Sequence, residues 1–72
     1  MKIRSGKIRN LMAEKLMTQK DIAAAASVSR ATVNVTLQRG SCSIVTVGKI
    51  AKALGVDPAE IVEMEENGWK TH

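Results

Sequence analysis

The chain has 72 residues, of which 44% are hydrophobic and one, Trp69, is aromatic, and its formal net charge is +4. This length allows one small domain at most, and the hydrophobic fraction is typical of a globular domain rather than of a disordered chain. The single cysteine, Cys42, excludes an intrachain disulfide, and the chain has no Cys/His cluster that could hold a metal. No apolar run approaches the ~20 residues that span a bilayer, so we expect a cytoplasmic protein. We also expect that it has no cofactor and no metal.

The basic residues are concentrated in the first 52 positions. This segment has ten Lys or Arg residues against two acidic residues, a net charge of +8. Residues 53–72 have one Lys against five acidic residues, a net charge of −4. The asymmetry indicates a polyanionic partner on one face, although lysines that are merely solvated would give the same count.

The first predicted helix covers residues 5–16. Apolar side chains recur in it at the spacing of one helical face, at Ile8, Leu11, Met12 and Leu16. We expect this face to lie against the core.

The second and third predicted helices are short and close together, at residues 19–26 and 30–37. Thr18 and Asp21 have the spacing of a capping box at the start of helix 2, and Ser29 is a cap for helix 3. Helix 3 is rich in β-branched residues, which favour a strand locally, but its cap and the glycine at position 40 favour a helix. A turn of three residues forces a steep crossing, so Ala23 and Ala26 are predicted to form the close contact between the two helices.

The fourth and fifth predicted helices cover residues 46–54 and 58–64. In helix 4 the apolar spacing predicts that Val47, Ile50, Ala51 and Leu54 face the core, with a glycine after the last of them. In helix 5, Asp57 is the predicted cap and Pro58 occupies the favoured first position. The prediction is therefore an all-α domain of five short helices at residues 1–66, followed by a polar tail at residues 67–72.

Three segments carry a resemblance to a known family. TQKDIAAAASVSRATV, at residues 18–33, resembles the helix-turn-helix of the Cro/cI-type (XRE) regulators, which share the lambda-repressor-like fold. IRNLMAEKLMTQ resembles the first helix of that family, and KIAKALGVDPAEIV resembles its fourth and fifth helices. The family usually has glycine in the turn where this chain has Ser27, so Ser27 is expected to adopt a left-handed backbone. A large apolar residue is usual near the end of helix 3, where this chain has Thr36 followed by Leu37.

The resemblance implies that helix 3, within a helix-turn-helix at about residues 18–38, enters the major groove of double-stranded DNA. The base contacts that it implies are Ser29, Arg30, Ala31, Asn34, Val35 and Gln38. Arg30 suits guanine, and Asn34 or Gln38 suits adenine. Three of these residues have a second interpretation: Ser29 as a cap only, Arg30 as a phosphate ligand and Gln38 as a solvated side chain.

The implied phosphate contacts lie at the rims of the same surface. They are Thr18, Gln19, Lys20, Thr32 and Arg39. Further basic residues, Lys2, Arg4 and Lys7, would contribute only if the amino-terminal segment lies along the DNA. Lys49 and Lys52 are interpreted as solvated surface residues, with phosphate contact as the second interpretation.

The predicted function is that of a sequence-specific transcriptional regulator. Within this class, we predict a bacterial or mobile-element repressor. The resemblance implies a homodimer on a palindromic operator, weak or formed on the DNA, with Ile61, Val62, Met64 and Trp69 as possible contacts between the copies. Ile61 and Val62 could instead simply close the core of a single chain. An alternative function is a helical protein-interaction module, such as an antitoxin-like or antirepressor subunit. An enzyme is not expected, because the chain has no arrangement of a nucleophile and a base.

Overall fold

The computed structural model describes residues 1–63, which form five α-helices. In chain order these are α1 (Ser5–Glu14), α2 (Gln19–Ala26), α3 (Arg30–Arg39), α4 (Ile44–Leu54) and α5 (Pro58–Ile61). The all-α prediction with five helices is confirmed. Within residues 1–63 the only extended pairings are two isolated bridges, and no helix there is long and apolar enough to cross a membrane. Met64, Trp69 and the predicted polar tail lie outside the described residues.

Helix α1 ends at Glu14, and the predicted inward position of Leu16 is wrong. Leu16 has a φ of 55° and is 90% exposed. The Leu16 N–H donates to the carbonyl of Ala13 and the Met17 N–H to that of Met12, the two bonds of a Schellman motif. This motif turns the chain at Leu16, so Met17 packs against the core in its place.

Two more helices end in the same motif, and they place different residues in the left-handed conformation. Ser27 after α2 has a φ of 57°, and Gly55 after α4 has a φ of 71°. The Val28 N–H donates to the carbonyl of Ala23, and the Val56 N–H to that of Ala51. The left-handed backbone expected at Ser27 is therefore confirmed. It is strained there because serine has a Cβ, which approaches the following carbonyl oxygen in this conformation.

Three other helix boundaries differ from the prediction. Helix α3 continues through Arg39 to a left-handed Gly40, and α4 begins at Ile44 because Ser43 is its cap, accepting a hydrogen bond from the Thr46 N–H at 3.2 Å. Helix α5 ends at Ile61 rather than at residue 64. It ends there because Val62 has an extended backbone and forms an antiparallel bridge with Ile3.

The core lies between the inward faces of all five helices, and apart from Thr36 its buried residues among those described are aliphatic. Helix α2 packs against both α3 and α4, and α5 packs against α1 and α4. The four residues predicted to face inward from α4 are all buried. At the end of α3, Thr36 and Leu37 are both buried, at 4% and 3% exposure, so two consecutive residues face the core there.

We expect Ser27→Gly to stabilise the protein by about 0.5–1 kcal/mol. A left-handed backbone costs a residue with a Cβ about 1–2 kcal/mol, and the greater chain entropy of glycine offsets part of that gain. For a chain of this size the change corresponds to a rise in Tm of about 2–8 °C, measured by thermal unfolding. The matched control is Ala24→Gly, in the helix just before the turn, which should lower the stability by up to about 1 kcal/mol. A fall in Tm for both variants would show that Ser27 is not strained.

Candidate nucleic-acid interface

The exposed face of α3, together with its cap residue Ser29, contains every residue predicted to contact bases. Val33, Thr36 and Leu37 face the core, and the opposite side of the helix is open to solvent. The exposed residues include all six of the predicted set, which are Ser29, Arg30, Ala31, Asn34, Val35 and Gln38. The helix therefore offers a continuous outer surface of polar and small apolar side chains.

The packing of α2 against its neighbours supports the exposed face of α3. Ala23 and Ala26 are buried, at 6% and 4% exposure, whereas Ala24 and Ala25 are exposed. Val28, in the turn, packs against the core. Because the buried pair has minimal side chains, α2 can lie close to the helices that it packs against, α3 and α4.

The start of α3 is stabilised by side-chain hydrogen bonds that leave its exposed face available. The Ser29 hydroxyl accepts from the Thr32 N–H at 3.0 Å, and the two hydroxyl oxygens are 2.8 Å apart. The predicted role of Ser29 as a cap is therefore confirmed, whether or not it also contacts a base.

Asn34 and Gln38 form a pair on the exposed face. The Gln38 Nε2 donates to the Asn34 Oδ1 at 3.4 Å, across one helical turn. The bond does not use the Asn34 Nδ2 donors or the Gln38 Oε1 acceptor. These are the atom types that recognise the N7 and N6 edge of adenine.

A first depression lies between the starts of α2 and α3. It has a volume of about 380 Å³ and is lined by Thr18, Gln19, Lys20 and Arg30. Three of these residues are predicted phosphate contacts, and Arg30 is a predicted base contact. The positive end of α2 and two cationic side chains together make this depression a suitable site for an anion.

The capping box of α2 orders one wall of this first depression. The Thr18 N–H donates to the Asp21 carboxylate at 2.8 Å, and the Asp21 N–H donates to the Thr18 hydroxyl at 3.2 Å. The bond from the Thr18 backbone N–H, followed by the bond to its side chain, lowers the pKa of the Asp21 carboxyl group. Asp21 is therefore ionised at neutral pH and serves the fold as a helix cap.

A second depression, also of about 380 Å³, lies between the exposed face of α3 and the start of α4. Its lining residues are Ala31, Thr32, Val35, Thr36, Arg39, Ser41, Cys42 and Thr46. Thr32 and Arg39 are predicted phosphate contacts, so the structure divides the predicted set between two depressions on either side of α3.

Sequence reasoning missed Ser41 and Thr46 in this second depression. One signal for the start of α4 was available, because the Ser43 to Thr46 spacing repeats the Ser29 to Thr32 spacing at the start of α3. The hydroxyl oxygens of Ser43 and Thr46 are 3.0 Å apart. Ser41 had no such signal.

Cys42 borders the second depression but is a packing residue. Its side chain is half-buried and packs against the core. Burial raises the pKa of the Cys42 thiol, so the thiol is neutral at pH 7.

The residues predicted to join two copies of the chain fall into two groups. Ile61 and Val62 are buried in the core, which favours the interpretation that they close a single chain. Met64 and Trp69 lie outside the described residues. Among the described residues, the exposed large apolar side chains are Met1, Leu16, Val35, Ile44 and Val45.

Comparison with known proteins assigns a family to this arrangement. A family model described as the Cro/C1-type HTH DNA-binding domain matches residues 7–67. The chain belongs to the Cro/C1-type helix-turn-helix family. It is thus a DNA-binding domain of this family, and the predictions of the family and of a non-enzymatic protein are confirmed.

A solved structure has the same fold. The Cro/C1-type chain is similar to the restriction-modification controller protein C.AhdI from Aeromonas hydrophila, with a TM-score of 0.69 and 29% sequence identity. The alignment covers 78% of this chain and 86% of the controller protein. A comparison with curated protein sequences found no match.

Proposed function

We propose that this Cro/C1-type chain is a sequence-specific transcriptional regulator that binds double-stranded DNA with α3 in the major groove. The observation that carries the proposal is the outer face of α3, where amide, guanidinium and small apolar side chains are all exposed on one side. These are the chemical groups that distinguish base edges in the major groove. The similarity to a controller protein of a restriction-modification system supports a regulatory role.

The two depressions beside α3 support two separate roles for the predicted contacts: some residues bind phosphate and position the protein, and others recognise bases. Thr18, Gln19 and Lys20 would hold a phosphate at the start of α2, and Thr32 and Arg39 another beside the start of α4. The exposed residues of α3 between them would contact base edges. Phosphate contacts on both sides of a recognition helix would set its depth and register in the groove.

We further propose that the protein binds as a homodimer on a palindromic operator and acts as a bacterial or mobile-element repressor. A two-fold pair of recognition helices matches half-sites about one helical turn apart. Repression requires only occupancy of promoter DNA. Since Ile61 and Val62 are buried, we propose Met64 and Trp69, or an exposed surface of residues 1–63, as the contact between the copies.

Selection of preferred duplexes from random DNA tests this function. We expect a two-fold symmetric consensus with half-site centres about 10 base pairs apart. For the selected duplex, log K should fall linearly with log salt, with a slope of about −1.8 for one copy or about −3.6 for two, if Lys20 and Arg39 of each copy each neutralise a phosphate. The absence of duplex binding at low salt would overturn the proposal and favour the alternative, a protein-interaction module that uses the same fold as a scaffold.

A further inference from the structure

The amino-terminal segment, residues 1–4, pairs with two distant parts of the chain. On one side, the Ile3 N–H donates to the carbonyl of Gly40 at 2.9 Å, and the Cys42 N–H donates to the carbonyl of Met1 at 3.0 Å. On its other side, the Arg4 N–H donates to the carbonyl of Ile61 at 2.7 Å. The segment is thus held by backbone hydrogen bonds between the α3–α4 loop and the end of α5.

This pairing determines where the side chain of Lys2 lies. The bonds on either side make Lys2 and Ser41 a non-hydrogen-bonded antiparallel pair, the type in which Cα atoms approach to about 4.5 Å. Side chains of such a pair are on the same face, with Cβ atoms about 4.5–5.5 Å apart. Because successive residues of an extended segment point to opposite faces, Ile3 enters the core and Lys2 remains exposed beside Ser41.

Lys2 is thereby brought to the rim of the second depression. Ser41 and Arg39 both line that depression, next to Thr32 and Val35 of α3. The four-carbon stem of lysine can carry its ammonium group over this rim. Two cationic side chains and two hydroxyls, on Ser41 and Thr32, then border the same space, although Lys2 is 37 positions from Arg39 in the sequence.

We propose that Lys2 is a DNA phosphate contact, acting with Arg39 and Ser41 on the backbone strand that passes between α3 and the start of α4. This inference rests on the proposed function and extends it to a residue outside the helix-turn-helix. From the sequence, Lys2 was expected to contact phosphate only if the amino-terminal segment lies along the DNA. The two bridges fix the position of this segment in the protein. The backbone of Lys2 is already anchored in the free protein. Binding of DNA therefore loses no conformational entropy from ordering this part of the backbone.

The test compares three variants of the full chain on the selected duplex. Lys2→Gln removes the charge, and Lys2→Arg keeps it. Lys52→Gln is the matched control, because Lys52 is exposed on α4 and lies about 9 Å along the helix axis from Thr46, the residue of α4 that lines the depression. The binding constant of each variant is measured from 50 to 200 mM salt, and its Tm is measured alongside.

For Lys2→Gln we expect the salt slope to decrease in magnitude by about 0.9 per copy, with equal loss of affinity on all duplex sequences. Its affinity deficit should shrink about threefold to fourfold per copy between 50 and 200 mM salt. Lys2→Arg and Lys52→Gln should keep the original slope, and the Tm of Lys2→Gln should be unchanged because the anchoring bonds are all main-chain.

Three outcomes would overturn the inference, and they are distinguishable. An unchanged slope for Lys2→Gln, with the wild-type chain binding duplex in a salt-dependent way, would overturn the role of Lys2 alone. A wild-type chain that binds no duplex would overturn the proposed function and this inference with it. An equal decrease in slope for Lys52→Gln would show a general charge effect and would also remove the specific role of Lys2.

Discussion

Ala23→Leu is expected to destabilise the protein by about 1–3 kcal/mol and to weaken DNA binding more than its loss of stability explains. Ala23 is 6% exposed on α2, which packs against both α3 and α4, and a leucine there must push α2 away from these helices. A chain of 72 residues has a total stability of about 4–11 kcal/mol, so this cost is a large fraction of it. Any outward displacement or rotation of α3 moves its exposed residues relative to the phosphate contacts at the start of α2.

The matched control for this substitution is one residue away. Ala24 is exposed on the same helix, and Ala24→Leu adds the same atoms without entering the core. We expect its stability to change by less than about 0.5 kcal/mol and its DNA affinity to be unchanged. Chemical denaturation gives the free energy of unfolding, and duplex titration at a temperature where both variants are fully folded gives the affinity. Equal destabilisation by the two leucines would contradict the close packing assigned to Ala23.

Arg30→Ala is expected to cost about 1–3 kcal/mol of binding to the preferred duplex, about 5- to 150-fold in affinity, and to relax the preference at one or two base pairs of each half-site. A bidentate contact of a guanidinium with guanine is lost only on duplexes that carry that guanine. Binding to duplexes already changed at that pair should therefore be much less affected. The measurement is the affinity of both proteins for a set of duplexes with single base-pair changes.

Gln19→Ala provides the comparison, because Gln19 lines the same depression as Arg30 but is proposed to contact phosphate. This variant should weaken binding to all duplexes alike. The position of Arg30 beside Thr18, Gln19 and Lys20 makes the comparison necessary, since the structure places Arg30 among the proposed phosphate contacts. A uniform loss for Arg30→Ala would show that it binds phosphate and would leave base recognition to residues further along α3.

The amino-acid sequence by itself determined the features that depend on neighbours within one or two helical turns. The caps at Thr18, Ser29 and Asp57 are side-chain to backbone bonds over two or three residues, and all three are present. At Asp57 the bond goes to the Ala59 N–H, one residue earlier than in a capping box. The inward face of α4 and the bounds of α2 also follow from local spacing and local chemistry, whereas the left-handed turn at Ser27 was expected from the family resemblance.

The tertiary structure determined the features that depend on hydrogen bonds between segments far apart in the sequence. Helix α5 stops at Ile61 because the next residue pairs with Ile3, a partner 59 positions away from Val62 that no helical pattern reveals. The same segment brings Lys2 beside Ser41 and so adds a basic side chain to one edge of the DNA-binding face. Local periodicity reports which side of a helix is apolar. It does not report which backbone groups are satisfied by another part of the chain, and that requirement determines where a helix ends and which surface residues become neighbours.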